Sequence, residues 1–133
     1  MAGLELLGDD GWCFACGENN PIGLKLKFEK QDGKYVAKFT PQKDHQGYEG
    51  ITHGGIVSTL LDEAMARFAW AEGHNTVTAE MTVRFKRPAR TGVELTLTGN
   101  ITGEERRTVI CTAQATDPEG HIVAEATARM MKV

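Results

Sequence analysis

The longest apolar pattern in the chain has helical spacing and covers residues 52–73. Apolar side chains recur there every three or four positions and form one broad stripe. The glycine pair Gly54–Gly55 stands at its start, and Gly73 stands where a C-terminal cap belongs. The pattern therefore predicts one long helix with a buried stripe made of Val57, Leu60, Leu61, Ala64, Met65 and Phe68.

Most of the remaining chain alternates between apolar and polar residues, as strands with one buried face do. Two alternating runs precede the helix, at 24–29 and 35–40, and four follow it, at 77–85, 93–101, 109–115 and 122–130. Turn sequences separate them, including Asp32-Gly33. The order β-β-α-β-β-β-β predicts an α+β fold, in which one long central helix is wrapped by a curved antiparallel sheet of five to six strands.

Length and charge narrow the functional classes. We expect 133 residues to form a single domain, with residues 1–23 as a lead-in segment. A net charge of −3 and a pI of about 5.8 argue against nucleic acid as a partner. Because no apolar run approaches the ~20 residues that span a bilayer, no membrane partner is expected. The first ten residues are acidic, unlike a secretory signal, and a cytoplasmic location is expected.

Cys13 and Cys16 form a C-x-x-C pair, which occurs in zinc sites and in redox pairs. Zinc takes about four ligands, and no second C-x-x-C or H-x-x-x-H pair follows. His45 or His121 would complete a site only if the fold happened to bring them close. We therefore predict no metal and no cofactor, and interpret the pair as small apolar thiols packed in a turn. Cys111 lies in a predicted strand and belongs to the predicted core.

The predicted helix carries two adjacent acids with different surroundings. Glu63 has Arg67 four residues on, the favourable order for an ion pair, so we expect it to be a solvated partner of Arg67. Asp62 has Ala66 at that position and is the one ionisable group on a face of small residues. Such a face lets a ligand or another backbone approach closely, and we therefore predict a functional role for Asp62.

The start of the helix is a second candidate for chemistry. First-turn N–H groups have no partner inside a helix, and the helix dipole adds positive potential there. Gly54 and Gly55 leave room for a substrate atom to reach those N–H groups. This arrangement is typical of an oxyanion hole made of backbone, although glycine also serves as a plain N-terminal residue.

These elements together resemble the hotdog-fold acyl-CoA thioesterases, with the phenylacetyl-CoA thioesterase branch as the nearest match. The resemblance is carried by T-H-G-G at the helix start, by Asp62 nine residues after His53, and by R-F-K-R-P after a strand. The segment C-F-A-C-G-E-N-N-P-I-G-L also resembles a lead-in found in many members. The resemblance implies hydrolysis of acyl-CoA thioesters by a homodimer, or by a homotetramer built as a dimer of dimers.

The resemblance also implies roles for individual residues. The catalytic carboxylate, a general base or a nucleophile, falls on Asp62. The oxyanion-hole N–H falls on Gly54, with Gly55 beside it. A hydroxyl that holds the attacking water falls on Thr78, and His53 shapes the helix start without acting as the base.

Two further groups of residues are expected to contact the substrate. An Asn that some relatives carry six residues before the histidine is Gly47 here, and its neighbour Gln46 is the candidate substitute. A basic run is expected to hold the phosphates of coenzyme A, as this segment often does in the family, or to be ordinary strand-end charge. That run consists of Arg84, Lys86, Arg87 and Arg90.

The spacing of Gly54 and Asp62 favours a site shared between two subunits. Eight residues of helix place them about 12 Å apart, too far to act on one carbonyl. Two antiparallel helices side by side would bring Gly54 of one against Asp62 of the other.

The main alternative to an acyl-CoA thioesterase is a non-catalytic protein that binds acyl-CoA. A hotdog hydratase would carry a different Asp–His pattern, and a hotdog transcription factor would need a further, DNA-binding domain. The sequence does not identify the acyl group of the substrate.

Overall fold

The computed structural model describes residues 7–133. Its elements follow the predicted order, two strands, one long helix and four strands, with a short 3₁₀ helix before the long helix. They are β1 (Glu29–Gln31), β2 (Lys34–Phe39), the 3₁₀ helix (Lys43–His45), α1 (Gly54–Ala71), β3 (Thr76–Phe85), β4 (Leu95–Glu104), β5 (Thr108–Thr116) and β6 (Ile122–Lys132).

All six strands join in one antiparallel sheet with the order β1-β2-β4-β5-β6-β3. α1 packs against β2, β3, β4, β5 and β6, so the sheet wraps one long helix as predicted. In β5, buried residues alternate with half-buried ones, which identifies the face toward the helix. Cys111 lies on that face and is fully buried, as predicted. Burial raises the pKa of its thiol to about 11.

The helix confirms the apolar stripe and the cap read from the sequence. All six stripe residues are buried, and Leu60, Leu61, Ala64 and Met65 have no exposed surface. The helix is two residues shorter at each end than the pattern, because His53 and Glu72 act as its caps. Gly73 follows with φ +90°, a left-handed conformation that favours glycine, and its N–H donates to the carbonyl of Trp70.

Gly99 sets how closely the helix lies on the sheet. A Cβ built on Gly99 would lie 2.2 Å from the carbonyl oxygen of Ala64 and 2.8 Å from its carbonyl carbon. Only glycine therefore allows β4 and α1 to touch backbone to backbone at this point. This contact is two residues along α1 from Asp62.

The lead-in segment packs on the core, but residues 24–28 do not form the predicted strand. Leu24 and Leu26 are buried as the alternation indicates. Their N–H groups bond to Phe14 and Ala15 of the lead-in at 2.9 Å each, in place of a strand of the sheet. Lys25 has φ +59°, which breaks the extended conformation between the two leucines.

The two edges of the sheet differ. β1 is short and is joined to β2 by the predicted turn, in which Asp32 and Gly33 have φ +51° and +77°. β3, ten residues long, pairs with β6 along one side only. It is less buried than its alternation predicts, and Val77 and Phe85 are 45% and 55% exposed. Within residues 7–133, no helix combines the length and apolar composition needed to cross a membrane.

Candidate active site

Asp62 and Thr78 are brought into direct contact by the packing of α1 on β3. The Thr78 hydroxyl donates a hydrogen bond of 2.7 Å to Oδ1 of Asp62. Asp62 is half-buried and Thr78 is exposed, so the pair lies where solvent or a ligand can reach it. One oxygen of the carboxylate is thereby fixed, which orients the second oxygen without neutralising the charge.

A β-bulge positions Thr78. The register of β3 on β6 shifts between Thr78 and Glu80, so Ala79 is the extra residue. A bulge bends a strand and re-aims the neighbouring side chains. Thr78 therefore reaches Asp62, while its hydroxyl also lies 3.4 Å from the sulfur of Met130.

His53 organises the start of α1. It is the N-cap residue, and its Nδ1 accepts a hydrogen bond of 2.9 Å from the N–H of Gly55. Nδ1 is the acceptor in this contact, so Nε2 is the ring nitrogen left for other partners. Its place at the helix start agrees with the predicted structural role, and the contact uses the N–H that Gly55 was expected to share with a substrate.

Gly54 keeps the free donor at the helix start. Among residues 7–133, no acceptor bonds to its N–H, which lies outside the intrahelical pattern. Gly54 is exposed and lines a cavity of about 330 Å³ together with Phe85, Lys86 and Arg87. An anionic oxygen that enters this cavity would meet both a helix N-terminus and two cations.

Thr52 and Phe85 line the same cavity, and the sequence did not identify them as site residues. Thr52 is 4% exposed, and its hydroxyl has no hydrogen-bond partner within residues 7–133. Phe85 lies over Gly54, with ring atoms 3.6–3.7 Å from where a Cβ would stand. The sequence features that could have pointed to them were weak: Thr52 directly precedes His53, and Phe85 is an aromatic residue at a strand end.

Gln46 and Gly47 lie on the other side of His53. Gln46 lines a second cavity, of about 380 Å³, with His53, Gly55 and Thr59. Its Oε1 accepts from the N–H of Gly50 at 3.2 Å, which leaves the amide nitrogen for other contacts. A Cβ on Gly47 would lie 3.4 Å from Cα of His53 and 3.5 Å from its ring, so a larger residue at 47 would pack on that histidine.

The basic run is divided by the sheet. Lys86 and Arg87 line the Gly54 cavity, and Arg87 and Arg90 line an adjoining one of about 370 Å³ around Pro88. Lys86 also lies 3.5 Å from Glu125. Arg84 lines a different cavity with Thr112, Gln114 and Thr127. These three residues alternate with the buried residues of β5 and β6, so they lie on the sheet face that points away from the helix. Within one chain, Arg84 is therefore not brought together with the other three residues.

The predicted ion pair of Glu63 with Arg67 is wrong. Arg67 instead bonds to Asp9 at 2.5 Å and lies 4.2 Å from the centre of the Trp70 ring. Glu63 is half-buried beside Cys13 and Cys16, and burial raises the pKa of its carboxyl group. The helix spacing alone did not predict this, because Asp9 is 58 residues away in sequence.

Comparisons with known proteins identify the family of the chain. A sequence model described as the thioesterase superfamily matches residues 49–124, which contain α1, β3, β4 and β5. Acyl-coenzyme A thioesterase THEM4 of Xenopus laevis is 27% identical over 107 residues, covering 80% of this chain and 48% of that protein. The chain spans about half the length of the curated relatives that it matches first.

Two solved structures show the same fold. Protein RHA08564, a thioesterase superfamily protein, has a TM-score of 0.87 at 23% identity, over 92% of this chain and 61% of that chain. The PaaI protein of E. coli, from the phenylacetic acid degradation operon, has a TM-score of 0.76 at 23% identity, over 82% and 84%. The fold is the expected hotdog fold. Because the family model matches more than half of the chain, the chain belongs to the thioesterase superfamily.

Proposed function

We propose that the protein hydrolyses acyl-CoA thioesters to a free acid and coenzyme A. The observation that carries this is the Asp62 carboxylate, which accepts a 2.7 Å hydrogen bond from Thr78. The start of the same helix leaves the Gly54 N–H without an acceptor among residues 7–133. Hydrolysis of a thioester needs a base or nucleophile and a donor for the developing oxyanion, and these two groups can supply them. The acyl-CoA thioesterase name of the Xenopus laevis relative supports this reaction class.

In the proposed reaction, Asp62 removes a proton from water, and the hydroxide attacks the thioester carbon. Alternatively, the carboxylate attacks first and forms an anhydride, which water then opens. In both routes the carbonyl oxygen becomes negative and accepts the Gly54 N–H. In the first route the C–S bond breaks as the oxyanion collapses, and the leaving thiolate takes the proton that Asp62 removed from water. In the second route this bond breaks as the anhydride forms, and the thiolate takes its proton from the water that opens the anhydride. Thr78 keeps one carboxylate oxygen occupied, so the other faces the substrate.

We further propose that two subunits share each site. Gly54 and Asp62 lie about 12 Å apart along α1, so they cannot act together on one carbonyl within a chain. An antiparallel α1 from a second copy would place its Asp62 opposite Gly54. β3 supports this arrangement, because it is a sheet edge with exposed apolar residues next to the site.

A panel of acyl-CoA substrates tests the reaction class. We expect thiol release from at least one member among short aliphatic, medium-chain and aromatic acyl-CoA thioesters, measured with a thiol reagent. A protein that binds these thioesters in calorimetry and releases no thiol from any of them would be a binding protein, and the hydrolase proposal would be wrong. Gly47, where some relatives have an asparagine that contacts the thioester, is the feature that favours this second candidate.

Replacing Arg87 with alanine should weaken the binding of coenzyme A thioesters more than that of pantetheine thioesters. Arg87 lines the Gly54 cavity, and the nucleotide phosphates are present in coenzyme A but absent from pantetheine thioesters. Loss of one charge-assisted contact predicts an increase in KM of about tenfold for the coenzyme A thioester and little change for the pantetheine thioester. Steady-state kinetics on both substrates measure the difference.

Arg106→Ala is the matched control, since Arg106 is exposed in the turn after β4 and does not line this cavity. It should leave both KM values unchanged. If Arg87→Ala affects the two substrates equally, Arg87 has a structural role at the strand end and does not contact the phosphates.

A further inference from the structure

Three side chains that the proposed reaction does not use converge beside α1. Cys13 and Cys16 come from the lead-in segment, and Glu63 comes from the helix, 50 residues away from Cys13. Their sulfur and carboxylate oxygen atoms all lie within 4.8 Å of one another. Cys13 Sγ is 3.7 Å from Oε2 of Glu63. All three residues are half-buried, so the cluster is shielded but still reachable from solvent.

The turn that carries the cysteines is tightly constructed. The N–H of Cys16 points at Cys13 Sγ, with a distance of 3.4 Å, and the N–H of Gly17 donates to the Cys13 carbonyl at 2.8 Å. A Cβ on Gly17 would lie 2.4 Å from the backbone nitrogen of Cys13, so the turn requires glycine there. The N–H of Cys16 therefore holds the Cys13 sulfur in place on the side of the turn that faces Glu63.

No cation forms a direct ion pair with the cluster within residues 7–133. Glu63 has no ion pair within residues 7–133, because the nearby Arg67 is bonded to Asp9. Three groups that become anions on losing their protons therefore face one another in a partly desolvated place. A divalent cation between them would replace those protons and remove the repulsion between the charged forms.

We propose that Cys13, Cys16 and Glu63 form a zinc site that joins the lead-in segment to the central helix. Two thiolates and one carboxylate suit Zn²⁺ better than Mg²⁺ or Ca²⁺, which take oxygen ligands. Tetrahedral zinc with these ligands has a sulfur–oxygen separation of about 3.5 Å, close to the 3.7 Å between Cys13 and Glu63. The fourth position is left for water or an external ligand.

This site would fasten the chain next to the catalytic carboxylate. Glu63 directly follows Asp62 on α1, and the lead-in segment is also joined to the rest of the domain by the Asp9–Arg67 salt bridge and by the backbone bonds of Leu24 and Leu26. A metal that binds only the folded chain stabilises it. The proposal does not depend on the thioesterase activity, since its ligands are separate from Asp62, Thr78 and Gly54.

Cobalt substitution of the full-length protein is the direct test. We expect the reduced protein to bind about one Co²⁺ per chain and to show a thiolate-to-cobalt charge-transfer band. Added Zn²⁺ should displace the Co²⁺ and abolish this band. Cys13→Ser, Cys16→Ser and Glu63→Gln should each lower the zinc affinity by more than about tenfold, measured by competition with a chromophoric chelator. Zinc should also raise the melting temperature of the wild type and not that of Cys16→Ser.

Cys111→Ser is the matched control, because Cys111 is a buried thiol in β5 outside the cluster. It should keep the cobalt band. The proposal is wrong if the reduced wild type shows no band and no zinc-dependent change in melting, or if the band persists in Cys13→Ser. It is equally wrong if the protein purified from zinc-supplemented cells contains a Cys13–Cys16 disulfide, detected by mass spectrometry, in place of zinc.

Discussion

Replacing Asp62 with asparagine is expected to lower thioester turnover by about 10²–10⁴-fold while the protein still folds. Asparagine has nearly the same shape and can still accept the Thr78 hydrogen bond, so packing at α1 is retained. It can neither accept a proton from water nor attack as an anion. The loss should therefore appear in kcat with the best acyl-CoA substrate, while circular dichroism and the melting temperature stay close to those of the wild type.

Glu72→Gln provides the same chemical change at the C-terminal cap of the helix. Glu72 pairs with Lys30 at the surface and lies ten residues from Asp62, so its loss should change turnover by less than about twofold. If Asp62→Asn retains turnover within a few-fold of the wild type, Asp62 is not the base or nucleophile, and the proposed mechanism fails.

Two inactive variants are expected to restore activity when they are mixed. Asp62→Ala removes the base, and Gly54→Val blocks the N–H at the helix start. Both sites of each homodimer are therefore defective. In a mixed dimer with shared sites, one site carries both defects and the other carries none. Random pairing makes about half of the dimers mixed, and each has one of its two sites intact, so recovery should reach about a quarter of wild-type activity.

The variants are refolded together, and the mixed species is isolated through two different affinity tags. Gly54→Val should fold, because a Cβ at Gly54 meets Phe85 at an ordinary contact distance of 3.6 Å. The control mixture of Asp62→Ala with Asp62→Asn should recover nothing. If the isolated mixed dimer of Asp62→Ala and Gly54→Val is inactive, Gly54 and Asp62 do not form one site across the subunits.

The parts predicted correctly depend on local rules. Helical spacing placed the stripe around Leu60, and the Asp32-Gly33 turn fixed the first hairpin, because neighbouring residues decide both. Family resemblance gave Asp62 as the carboxylate and Thr78 as a hydroxyl that holds the attacking water, and the structure brings these two side chains into contact. No spacing rule could have given this contact, since it depends on a bulge near Thr78.

The parts predicted wrongly depend on distant contacts. Arg67 has Glu63 four residues before it, but Asp9 of the lead-in competes for it and forms the salt bridge. The alternation at 24–28 is that of a strand, but the backbone of Lys25 is in the left-handed region. The N–H groups of Leu24 and Leu26 donate to the carbonyls of Phe14 and Ala15 and not to a strand of the sheet. β3 alternates like an interior strand, although its place at the sheet edge leaves Val77 exposed.

The contact between Gly99 and Ala64 has a consequence for how this domain tolerates sequence change. The height of α1 over the sheet is limited there by backbone atoms, which are the same whatever side chains surround them. A smaller core residue near this contact is therefore expected to leave a cavity, because the helix cannot move closer to the sheet to fill the space. Asp62, two residues away along α1, therefore keeps its height above the sheet when a core side chain nearby is shortened.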